Sequence, residues 1–135
     1  MSIDENKALV LSFYDLYNQK KLECYELFAP EYIFHATTGD MNREQVKQFD
    51  TMVFFNAFPG GVCKVSNIVA EGDKVAFQVT WVGTHKGELM GIAPTGKNFK
   101  MNNTYIVRIR GNKWVEQWGT SELPLIMQDL GVTLK

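Results

Sequence analysis

His35 and His85 carry the side chains whose ordinary pKa lies near neutrality, so they are the first candidates for a group that takes up and releases a proton. His35 falls in Glu31 to Ala36, which reads as a short strand, and a strand entering a cavity would aim it at a bound molecule. It is the base candidate, although a histidine between Phe34 and Ala36 equally suits a hydrogen-bonded core position. His85 lies in a glycine-rich stretch beside Lys86 and Glu88, where fastening the loop competes with a place at a pocket. Cys24 and Cys63 have no CxxC spacing, and with the two histidines they are too scattered to supply the four ligands of a structural zinc. No metal is expected.

These residues need a scaffold, and 135 residues suffice for one core, so a single domain over 1–135 is expected. Apolar residues at 45% and charged residues at 21% describe an ordinary globular chain, and a net charge of −1 supplies no electrostatic footprint for nucleic acid. The first residues lack a basic stretch followed by an apolar run, so a reduced cytoplasmic protein with no membrane partner is expected. Nine Phe, five Tyr and three Trp, 13% of the chain, suit either a dense core or an aromatic-lined pocket.

Ser2-Ile3-Asp4-Glu5 is a capping box, and Leu9, Phe13, Leu16 and Tyr17 then recur at helical spacing, with Tyr14 beside that stripe. A short helix over Glu23 to Phe28 is stopped by Pro30. Asn42-Arg43-Glu44-Gln45 caps a further helix, whose buried face is Val46, Phe49 and Val53 and which Phe58-Pro59-Gly60-Gly61 ends. From Val62 the period changes: 62–70, 75–84, 98–110 and 113–120 are rich in β-branched and aromatic residues and are separated by turn signals. A last short helix falls near Leu123 to Leu130. Helices gathered before strands joined by close turns predict an α+β fold: a strongly curved antiparallel sheet packed against amino-terminal helices and enclosing a pocket.

The run Gly83-Thr84-His85-Lys86-Gly87-Glu88, followed by Gly91-Ile92-Ala93-Pro94-Thr95-Gly96-Lys97, resembles the loop of SnoaL-like polyketide (ester) cyclases, in which GTHxGE precedes GIPPTGK. Ala57-Phe58-Pro59, Glu71-Gly72-Asp73, Glu116-Gln117-Trp118 and Gln128-Asp129-Leu130-Gly131 fall in the family's order. The resemblance implies the cone-shaped sheet of nuclear transport factor two and ketosteroid isomerase. It also implies a cofactor-independent reaction on a small apolar carbonyl compound, an intramolecular aldol closure in the cyclases themselves. Such chemistry needs one acid/base and one or two neutral donors in a dry pocket.

Relatives place that acid/base, an aspartate, just past the last strand's tryptophan, where this chain has Gly119 after Trp118. Glu122 is the substitute candidate, with a helix-terminal acid as its other reading. In the family's arrangement Val115, Gln117 and Gly119 face inward and Trp114, Glu116 and Trp118 outward, by strand alternation. Gln117 then becomes a neutral donor, joined on the preceding strand by Asn103 and Tyr105, the latter a catalytic candidate. Tyr14, Tyr17 and His85 complete the binding candidates. Three functions compete: a cofactor-independent cyclase, isomerase or lyase; a binding domain that has lost the family's aspartate; and a homodimerisation module joined through outward-facing Trp114 and Trp118.

Overall fold

The computed structural model describes residues 2–36 and 39–131. Helix α1 spans Ile3–Asn18 and starts where Ser2 accepts from the Glu5 amide while the Glu5 carboxylate accepts from the Ser2 amide. A 3₁₀ turn at Leu22–Leu27 leads into strand β1, Phe28–Ala36, and a short strand β2 occupies Gly39–Asn42. The Asn42 side chain caps helix α2, Arg43–Asp50, by accepting from Gln45 N at 2.9 Å, with Gln45 returning the bond to the Asn42 amide. The chain then widens into a π-helical turn over Thr51–Asn56. Strands β3 (Val62–Glu71), β4 (Lys74–Thr84), β5 (Asn98–Arg110) and β6 (Lys113–Thr120) follow, and helix α3, Leu123–Asp129, comes last.

The six strands form one sheet in the order β2-β1-β6-β5-β4-β3. All neighbours are antiparallel except β1 and β6, which run parallel, because β1 returns from the helical side to cover the edge that β6 would otherwise expose. Register on β1 slips between Phe28 and Ile33, the stretch holding Pro30, which has no amide hydrogen for a ladder.

Helix α1 lays Leu9, Val10, Phe13 and Tyr17 on the sheet, and rings assemble around Phe13. Phe28 stacks on it with centroids 5.1 Å apart, and Trp114 meets it edge-on at 5.0 Å. Trp114 is fully buried, which corrects its expected place on the outer face. The cause is a bulge: Arg108 opposes Glu116 and Ile109 opposes Trp114, so Val115 is the extra residue and alternation breaks there. Trp114 therefore offers nothing to a subunit interface. Trp118, past the bulge, stays on the outer face, stacked on His35 and flanked by Arg108 and Lys74.

Candidate active site

Between α1, α2, the inner sheet face and α3 lies a cavity of about 240 Å³. Its walls are largely rings: Phe13, Tyr14 and Tyr17 from α1, Phe28, Tyr32 and Phe34 from β1, Phe49 and Phe54 beside the π turn, and Trp81 and Tyr105 from the sheet. Met41, Met90, Pro124 and Met127 add apolar surface. The aromatic excess of the sequence thus serves both of its expected uses, since several of the same rings are core and cavity wall.

Among the described residues one carboxylate lines this space, Asp50, at the last position of α2. Asp50 lies four residues beyond Val46 and one beyond Phe49, both also in the cavity wall, so the stripe that reads as a buried helix face presents a carboxyl in its middle. The π turn that follows widens the helix immediately beyond it, an irregularity often found beside functional groups. Burial pushes the Asp50 carboxyl up to about 7, and a 2.5 Å hydrogen bond from the Tyr25 hydroxyl to Oδ2 partly opposes that rise. The charge of Asp50 is in turn felt by the phenols of Tyr14, Tyr17, Tyr25, Tyr32 and Tyr105, all raised chiefly by burial. Four of the chain's five tyrosines line the cavity with Asp50, and the fifth, Tyr25, bonds to it.

Neutral polar groups come from the sheet. Gln117 is buried, with Oε1 accepting from Tyr32 at 2.8 Å, so its remaining amide group is a donor. Asn103 Oδ1 accepts from the Glu122 amide at 3.1 Å, which leaves its NH₂ beside the Tyr105 hydroxyl. Tyr14, Tyr17, Asn103, Tyr105 and Gln117 all line the cavity.

His35, Glu122 and His85 do not line it. Because Tyr32, Phe34 and Ala36 of β1 line the cavity, alternation turns His35 to the outer face. There Nε2 meets Glu116 at 2.7 Å and Nδ1 meets Asp40 at 3.0 Å, and these bonds, Glu116 first, raise its pKa. Glu122 sits at the start of α3 and spends Oε1 on the Asn102 amide at 2.6 Å. His85 is fully buried in the 85–97 loop, where Nδ1 lies 3.0 Å from Thr95 Oγ1 and its backbone bonds Gly96 and Lys97. It holds the loop together, as one of its two readings expected.

Gly119 lines the cavity with φ +155°, and a Cβ there would fall 2.6 Å from Tyr105 Cδ1 and closer still to the Thr104 carbonyl oxygen. The position where relatives carry the aspartate has no room for a side chain on this backbone. Sequence reasoning missed Asp50 and Tyr25. The available signal for Asp50 was a lone carboxylate at helical spacing among Val46, Phe49 and Val53; Tyr25 had none, because its partner is 25 residues away.

Among the described residues no cluster of three or more His, Cys, Asp or Glu could hold a metal ion, and no helix is long and apolar enough to cross a membrane. The sequence pattern of the SnoaL-like polyketide cyclases matches residues 7–130. The chain belongs to that family. Among solved structures it is similar to AclR, a proposed hydroxylase from Streptomyces galilaeus, at 29% identity and TM-score 0.85, covering 96% of this chain and 83% of that one. It is likewise similar to IdmH, a proposed polyketide cyclase from Streptomyces antibioticus, at 31% identity and TM-score 0.77, covering 94% of this chain and 99% of that one. A Jannaschia protein at 20% identity, with TM-score 0.82 over 98% of this chain and 95% of its own, shares the fold. No curated protein matches the chain.

Proposed function

We propose that this protein is a cofactor-independent acid/base enzyme acting on a small apolar carbonyl compound, with Asp50 as the group that moves the proton. The observation that carries the reading is the single carboxylate in an aromatic cavity, with a pKa pushed up to about 7. A base of that strength is ionised in useful amount at neutral pH and, once protonated, is acidic enough to return the proton.

The step that fits is removal of a proton from a carbon flanked by carbonyl groups. The C–H bond breaks, its proton goes to Asp50, and the electron pair moves through the new C=C bond onto the carbonyl oxygen. That oxygen needs donors, and the amides of Gln117 and Asn103 and the Tyr105 hydroxyl are neutral donors on the sheet side. In a cyclisation the enolate carbon then attacks a second carbonyl of the same molecule, and the resulting alkoxide takes the proton back from Asp50.

The second reading, a binding domain without catalysis, is favoured by Gly119, which leaves the family's aspartate position empty. Asp50 distinguishes the two. On a panel of diketones and polyketide-like compounds, Asp50→Asn should lose about 100-fold or more in kcat/KM, while His35→Ala, altered on the outer face, should stay within about 2-fold of the parent. Binding of the same compounds with no turnover by the unaltered protein would favour the binding domain.

A further inference from the structure

Tyr14, Tyr17, Tyr32 and Tyr105 line the cavity, but Tyr25 does not. It is 3% exposed, it sits on the 3₁₀ turn after α1, and its hydroxyl nonetheless reaches Asp50 Oδ2 at 2.5 Å. We propose that Tyr25 is the positioning residue for Asp50: it grips one carboxylate oxygen from behind the cavity wall, leaves Oδ1 for the bound molecule, and keeps the carboxylate available as a base. This rests on the proton-transfer reading of Asp50.

Three features support it. The Tyr25 ring is itself fixed, meeting Phe13 edge-on at 5.7 Å and Phe28 edge-on at 5.6 Å, so the hydroxyl position is set by core packing rather than by a mobile side chain. Phe13 and Phe28 also form cavity wall, which ties the placement of the carboxyl to that of the surface against which a substrate would rest. Finally, a phenol donating to a carboxylate stabilises the charged form, whereas the apolar walls oppose it.

The titratable groups that feel the Asp50 charge are all phenols and thiols, none of them a cation. They are Tyr14 and Tyr17 from α1, Cys24 and Tyr25 from the 3₁₀ turn, Tyr32 from β1, Cys63 from β3 and Tyr105 from β5. No Lys, Arg or His lines the cavity among the described residues. Tyr25 is the hydrogen-bond donor on Asp50, and its own hydroxyl is held protonated by burial and by that carboxylate.

The test follows the Asp50 carboxyl by carbon NMR through a pH titration, with Asp50→Asn identifying its resonance, and sets kcat/KM against pH beside it. In Tyr25→Phe the Asp50 midpoint should rise by roughly one unit or more, and the acid limb of kcat/KM should move to higher pH by the same amount with KM little changed. Cys24→Ala, a core change on the same turn, should lower thermal stability without moving either midpoint. A second measurement needs no Tyr25 variant: in the parent protein the Tyr25 ring carbon bearing the hydroxyl should titrate with the Asp50 midpoint, and that response should vanish in Asp50→Asn. An unmoved Asp50 midpoint in Tyr25→Phe, or a Tyr25 signal flat across it, overturns the proposal. Activity surviving in Asp50→Asn would instead overturn the base assignment, leaving the NMR result to stand by itself.

Discussion

Asp50 and Gly119 divide the site between them. At Gly119 the backbone takes φ +155° and the space a Cβ needs is filled by Thr104 and Tyr105, so the loss of a carboxylate there is built into the strand. Asp50, at the end of α2, is the carboxylate that lines the cavity among the described residues. Gly119→Ala should destabilise the fold by about 2 kcal/mol or more, read as a lower urea midpoint with an unchanged slope, because both the conformation and the close approach resist a side chain. An unchanged midpoint would show that β6 relaxes easily and that the position is open after all.

At the scale of elements, two local irregularities shape the cavity wall. The bulge at Val115 turns Trp114 into the core while leaving Gln117 inward and Trp118 outward, and the π turn after Asp50 ends α2 at the cavity wall. Neither can be read from periodicity, which assumes a regular strand or helix; this is why Trp114 reads as outward-facing, whereas Asp50, four residues after Val46, keeps the helical spacing of the α2 stripe. The capped helix starts, the four long strands and the fastened 85–97 loop were legible because each rests on contacts near in sequence. Asn103, Tyr105 and Gln117 were legible as cavity residues through the family resemblance, which chose the face, and through strand alternation that stays intact at these positions. His35 was misplaced by one face, since nothing in Glu31 to Ala36 fixes which side of β1 meets the helices.

On the outer face His35 makes a pH-dependent contribution to stability instead. Its pKa is raised by Glu116 and then Asp40, so the stabilisation is fully present below about 6.5, the ordinary histidine value, and is lost as pH rises through the higher folded value. Comparing urea midpoints of the parent and His35→Gln across that range should show a gap at low pH that closes at high pH. A gap constant with pH would mean that the two carboxylates do not hold the ring in its charged form.

For the molecule as a whole, the sheet separates two environments. Its outer face carries a charged row, with His35, Glu116, Arg108 and Asp73 joined through contacts of 2.7 to 3.4 Å, while its inner face and the helices enclose a cavity in which Asp50 is the one carboxylate among the described residues. Family membership fixes the architecture; it does not fix the reaction, because function lives in the site rather than in the fold. The proposed removal of a proton from carbon by Asp50 is therefore the step to test. It can be measured without knowing the natural substrate, by following exchange of the acidic C–H hydrogens of a small diketone with deuterated water across a pH series. Exchange should be faster than in buffer, rising through a midpoint near 7 and falling about 100-fold or more in Asp50→Asn. Equal exchange by the parent and Asp50→Asn proteins would contradict it.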